Sequence, residues 1–168
     1  MENHLRHLVQ IPYSNFLKLK NMKTAFNEVQ IHYKRPIFDC KSKVASSEDS
    51  ERVLRSLIDP KRIDYKEFFW VLLLTNANQV IGVSEIAVGN TTGVSVNIKE
   101  IYQLALLANA PAIIVAHNHP SGKLKPSEAD KRLTNKLTEA SKFLDITLLD
   151  HIILTSEGFV SFSDSNWM

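Results

Sequence analysis

From Ala112 to Asp130 the chain reads AIIVAHNHPSGKLKPSEAD. A short apolar run, AIIVA, reads as a buried strand and leads straight into two histidines one residue apart. Side chains alternate along an extended chain, so His117 and His119 point the same way and can grip a single metal ion. Pro120 stops further strand pairing, and Gly122 lets the chain turn. Ser127 and Asp130 then open a helix, and a loop of this length can fold back to bring Asp130 to the same ion. Two neutral ring nitrogens and one carboxylate oxygen leave a fourth tetrahedral position for water, the arrangement of catalytic zinc. The same letters have a plainer reading. Ser-Glu-Ala-Asp is the outline of a capping box, with Ser127 as N-cap and Asp130 three residues on, where Glu or Gln is commoner. The two readings coexist, because the first turn of a helix is a good place to hold a carboxylate.

The rest of the chain supplies the frame. NEVQIHYKR (27–35) alternates, with Val29, Ile31 and Tyr33 on one side, as a half-buried strand does. Ser46 and Ser47 precede EDSERVLRSLI, whose acidic first turn and later arginines fit a capped helix. EFFWVLLLT (67–75) reads as an apolar strand and VIGVSEIAVG (80–89) as its hairpin partner. IKEIYQLALLA has helical spacing. So do Ala129, Leu133, Leu137, Ala140 and Leu144, which mark an amphipathic helix after the histidines. ITLLDHIIL and FVSF close the chain as strands around the turn TSEG. Hairpin, helix, strand, helix and strands again predict an α/β sandwich with one mixed sheet and helices packed on it.

Composition excludes several classes. With 168 residues, 44% hydrophobic and 23% charged, the chain suits one globular domain. Its net charge of +2 is not that of a polycation built for nucleic acid. Residues 1–45 are nonetheless basic, with eight Lys/Arg against three Asp/Glu. They form an expected amino-terminal segment ahead of a domain over 46–168. Cys40 is the only cysteine, so neither an internal disulfide nor a Cys-based zinc site can form. The first residues lack the apolar core of a secretory signal, and no run approaches the roughly 20 residues of a membrane helix. A cytoplasmic protein without membrane contact is expected.

His117-Asn118-His119-Pro120, then six residues, Ser127, two residues and Asp130 resemble the signature of JAMM/MPN zinc metallopeptidases. With LLDHIIL and FVSF downstream, the sequence is more closely similar to the RadC branch over roughly residues 50 to 168. The resemblance implies a JAB/MPN fold like that of cytidine deaminases, a curved mixed sheet flanked by helices. It also implies Zn²⁺ held by His117, His119 and Asp130, a Glu that activates water, and Ser127 as a donor to the oxyanion. By position the Glu is Glu67, directly before the first apolar strand, with Glu85 on the returning strand as its rival.

Asn118 stands where the eukaryotic-type deubiquitinating members usually carry Ser or Thr, which turns the expectation away from ubiquitin-like substrates. The helix-hairpin-helix segment that longer RadC proteins carry has no counterpart motif in residues 1–45. Asp150 and His151 are expected in a core strand or supporting the ligands, since three ligands plus water complete the ion. His4, His7 and His32 show no such constellation. The first reading is thus a zinc-dependent hydrolase of a peptide or peptide-like amide in a protein or peptide substrate. The alternatives are a non-catalytic MPN scaffold and a DNA-associated accessory protein whose DNA contact would be weak and salt-sensitive.

Overall fold

The computed structural model describes residues 43–90 and 93–168, so the strand expected over 27–35 and most of the basic segment lie outside the described residues. Two seven-residue strands, β1 (Phe68–Leu74) and β3 (Ala112–Asn118), are buried at every position. Strands buried on both faces need cover on both, and this requirement sets the architecture. The remaining strands are β2 (Val80–Val88), β4 (Thr147–Leu154) and β5 (Phe159–Ser161), in the spatial order β2-β1-β3-β4-β5. The sheet is mixed and open. Only β3 and β4 run parallel, while the other neighbours are antiparallel. A parallel pair needs a crossover, and the long helix α3 (Glu128–Leu144) supplies it. The histidine-bearing loop is therefore the turn from the carboxyl end of β3 into the crossover helix.

Alternation sorts the side chains into two cores. Phe68, Trp70, Leu72 and Leu74 join Ala112, Ile114 and Ala116 on one face, under Leu54 of helix α1 (Ser47–Leu57). Phe69, Val71 and Leu73 join Ile113 and Val115 on the other, under Ile101, Tyr102 and Ala105 of helix α2 (Ile98–Leu107) and Leu137 of α3. Each large apolar side chain so buried contributes roughly 1.5–3 kcal/mol. Ser46 caps α1, its hydroxyl oxygen accepting from the Asp49 amide at 3.3 Å. Val44 is packed in the first core, and Lys43 bridges to Gln79. No helix among the described residues is long and apolar enough to cross a membrane.

The apolar stripe expected on α3 is rotated from the face that is buried. Ala129 and Leu144 are exposed, Leu133 and Ala140 are half-buried, and the buried line is Asp130, Thr134, Leu137 and Ser141. Three of these four are polar because the helix lies over polar groups that need partners. The Tyr102 hydroxyl donates to the Leu137 carbonyl at 2.7 Å and shares a bond with Ser141 Oγ at 2.8 Å, while Thr134 reaches His151.

Candidate metal centre

The register of the sheet decides which groups meet. Phe69 pairs with His117, so by alternation Glu67, Phe69 and His117 share the face covered by α2 and α3. His119 still bonds the neighbouring strand, its amide donating to the Leu154 carbonyl at 2.9 Å, and Pro120 follows. The extended chain thus turns both rings to one side, and their Nε2 atoms lie 3.0 Å apart. Asp130, in the first turn of α3, brings Oδ1 to 3.4 Å from His117 Nε2 and Oδ2 to 3.6 Å from His119 Nε2. Around a tetrahedral ion with bonds near 2.0–2.1 Å, ligand atoms stand about 3.3 Å from one another. The three observed separations, two of them to different oxygens of the one carboxylate, bracket that value. Glu67 is the fourth member, and ligand-type atoms of Glu67, His117, His119 and Asp130 all lie within 4.8 Å of one another.

Hydrogen bonds fix which nitrogens face the site. The Thr134 hydroxyl donates to the Asp130 carbonyl at 2.8 Å, so toward His151 Nδ1, 2.7 Å away, it can only accept. His151 Nδ1 therefore carries the hydrogen. Burial holds that ring neutral, far below its ordinary pKa, so its Nε2 bears a lone pair. The lone pair receives the Nδ1–H of His117 at 2.8 Å, and His117 Nε2 is left bare. His119 is set by a different partner. Its Nδ1 lies 2.6 Å from the Lys123 carbonyl, which only accepts, so its Nε2 also faces inward. Two inward lone pairs at 3.0 Å repel unless a cation lies between them. The donor set fits a metal ion.

The same groups shift one another's proton affinities. The bond to Asp130 is the main cause of a raised His119 pKa, against the opposing effect of burial. Burial pushes His117 down to about 4. For Asp130, burial works upward, but the bond from His119, the electrostatic effect of the His117 ring and the Ser127 contacts carry its carboxyl below the usual range. Burial raises Glu67, which then feels opposing effects from His119 and Asp130. A carboxylate of raised basicity beside a cation site is suited to taking a proton.

Glu67 is held from both sides. Its amide donates to Asn90 O at 3.0 Å, and its carbonyl accepts from the Gly89 amide at 2.8 Å. Asn118, whose role no sequence motif announces, does more. Alternation sends its side chain to the opposite face from His117, and it is fully buried. There Oδ1 accepts from the Phe68 amide at 2.7 Å, and Nδ2 donates to the carbonyls of Ile63 (2.6 Å) and Lys66 (2.7 Å). The residue between the histidines thus anchors the segment carrying Glu67. Glu85 is elsewhere. It pairs across from Trp70, on the α1 face, and its carboxylate meets Arg62 at 3.2 Å.

Ser127 and Asp130 complete the capping box, with the Asp130 amide donating to Ser127 Oγ (3.2 Å) and the Ser127 amide to Asp130 Oδ2 (2.6 Å). Asp130 is thus cap and cluster member at once. Asp150 and His151 divide by alternation. Asp150 accepts from Ser161 Oγ (2.6 Å), the Ser163 amide (3.0 Å) and the His151 amide (2.7 Å), tying β4 to the residues around β5. One extra residue in β4, between its pairings with Ile113 and Ile114, sets His151 opposite Val115 on the His117 face.

An α/β sandwich whose strand end and crossover helix turn two histidines and an aspartate toward one point has the architecture of JAB/MPN-type proteins. The chain belongs to the RadC-like JAB domain family, which it matches over residues 44–167. It is 38% identical over 122 residues to a UPF0758 protein of Flavobacterium johnsoniae, an alignment covering 73% of this chain and 52% of that protein. The chain thus spans about half the length of that relative. A UPF0758 protein of Coxiella burnetii is 33% identical over 173 aligned positions, covering 97% of this chain and 76% of the relative.

Proposed function

We propose that the protein is a zinc-dependent hydrolase of peptide or peptide-like amide bonds, acting in the cytoplasm. The observation that carries this reading is the pair of inward Nε2 atoms 3.0 Å apart with the Asp130 carboxylate against both. His117, His119 and Asp130 would hold the ion. When bound, zinc would polarise the substrate carbonyl and bring the pKa of a water molecule toward about 7. Glu67 takes the proton from the attacking water and passes it to the leaving amine. The capping box uses the oxygen of Ser127 as an acceptor and leaves its hydroxyl hydrogen free to donate to the developing oxyanion. Asn118 positions Glu67 through the backbone on either side of it. A scaffold that only binds partners has no need of this ligand set together with a basic carboxylate.

Two measurements test the proposal. Metal analysis of the zinc-equilibrated full chain should give about one ion per chain. A screen of peptide and isopeptide substrates should find turnover that a chelator abolishes. A metal-free protein with no turnover would leave a binding module, and steep salt-dependent DNA affinity would favour the DNA-associated reading.

A further inference from the structure

The loop between β3 and α3 carries two lysines whose placement is built rather than incidental. Gly122, at φ 74°, makes the turn, its amide donating to the His119 carbonyl at 3.0 Å. Lys123 is then tied to the site itself, since its carbonyl is the acceptor that orients the His119 ring. Pro126 is buried and Ser127 caps the helix, so the far end of the loop is fixed too. Between them Leu124 turns away toward Gly158, where an added Cβ would lie 3.7 Å from Leu124 Cδ1. Lys123 and Lys125 line the cleft that holds Glu67, His119 and Asp130, and Leu124 does not.

Among the described residues neither lysine makes an ion pair. Among the described residues the ion pairs of carboxylates are made by Arg52, Arg55, Arg62, Lys131, Lys142 and the two cluster histidines. Glu128 feels Lys125 but is itself bonded to Lys131 at 2.8 Å. The carboxylates lining the cleft are Glu67 and Asp130, and a divalent ion alone balances both. Among the described residues two lysines then remain in surplus at its wall. A cleft with one sign of charge in excess concentrates ligands of the other sign.

We infer that the substrate carries a carboxylate close to the scissile amide, and that Lys123 and Lys125 receive it; this rests on the hydrolase reading above. The carboxylate is either the end of a peptide chain or an acidic side chain. The test uses three malonyl monohydroxamates, coupled to glycine, to aspartic acid α-amide and to glycinamide. The hydroxamate reports on the metal, while the arms present a terminal carboxylate, a side-chain carboxylate or no charge. Binding to the zinc-loaded full chain is measured by calorimetry at low salt.

At least one acidic probe should bind about fivefold or more tightly than the neutral one, and the stronger of the two identifies the source. Added salt should erode the difference. In the Lys123→Ala/Lys125→Ala variant the acidic probes should fall to the affinity of the neutral one, with zinc content unaltered. Equal binding of all three probes by the unaltered protein would overturn the inference while leaving the metal reading intact. Binding by none would overturn the metal reading and this inference with it. Displacement of the probes by a short DNA oligonucleotide near physiological salt, lost in the double variant, would assign the lysines to phosphate and overturn the carboxylate.

Discussion

His117 and His119 are two residues apart, yet the protein treats them differently. His117 sits within a buried strand, its side chain 1% exposed. Phe69 stacks on it at 6.1 Å between ring centres, and its far nitrogen is committed to His151 and through it to Thr134 on α3. His119 stands past the strand end, 13% exposed, and a single loop carbonyl orients it. Environment follows position: burial lowers the pKa of one ring, and the bond to Asp130 raises that of the other. One candidate site thus combines a rigid ring with an adaptable one. The rigid half would fix where an ion sits, and the loop half adjoins the cleft through which substrate would come.

The largest effect that could break this comparison is on metal and stability together. Both His117→Ala and His119→Ala should lose stoichiometric zinc, since a three-ligand site has no spare. Only His117→Ala should also cost the metal-free protein about 1–3 kcal/mol, because it strands the buried Nε2 of His151. Metal analysis and urea unfolding separate the two. Equal losses of stability would erase the distinction. Asp130→Ala belongs to the same series, and full retention of zinc there would reduce Asp130 to a helix cap.

Next in size is the proposed base. Glu67→Gln keeps shape and hydrogen-bonding reach but removes the basic oxygen. Zinc content should stay near normal while turnover of an identified substrate falls roughly 10²–10⁴-fold. Glu85→Gln, on the other face and paired with Arg62, should change turnover little. Steady-state kinetics on the two variants decide it, and the reverse pattern would put proton transfer on the wrong side of the sheet.

The rigid half can be loosened without touching a ligand. His151 lies stacked on Phe162 at 4.6 Å between ring centres and edge-on to Phe69 at 5.7 Å, so His151→Phe fits an aromatic slot. It removes the acceptor that holds His117 in its tautomer. Zinc affinity should fall about 10–100-fold. Nitrogen-15 NMR of the His117 ring should show the Nε2-bare form giving way to a mixture, a change that a general loss of packing would not produce. Unchanged affinity would mean that the strand alone positions the ring.

Alternation is enough to aim both histidines one way, because it depends only on an extended backbone. The hairpin, the capped α1 and the crossover helix were also legible, each written in periodicity or caps. The buried face of α3 was not. Apolar spacing points to Ala129 and Leu144, whereas the helix buries Asp130, Thr134 and Ser141. A polar stripe opposite a buried histidine and tyrosine leaves no hydrophobic signature, and its partners are set by a strand far along the chain. Asn118 escaped for a related reason. Its role depends on the backbone of Ile63, Lys66 and Phe68, and backbone groups write nothing into a sequence pattern. The position of Glu67 came from family resemblance alone.

The smallest effect per step, about tenfold per pH unit, and the one that reads the two histidines separately, is the pH dependence of zinc affinity. The ion binds neutral rings, so a ring that holds a proton in the metal-free protein must release it first. His119, with its raised pKa, is the first to gain that proton as pH falls, so affinity is full above its pKa and declines below. His117 stays neutral until about pH 4, and Asp130 is held below the usual carboxylate range, so neither competes earlier. The logarithm of affinity should therefore fall about one unit per pH unit from the His119 value down to about pH 4, and about two per unit below it. Zinc titrations against a competing chelator, taken from about pH 7 to about pH 3, would resolve the break. A slope of two from the outset would mean that both rings take up protons together. Strand burial would then have failed to set His117 apart from its neighbour in the loop.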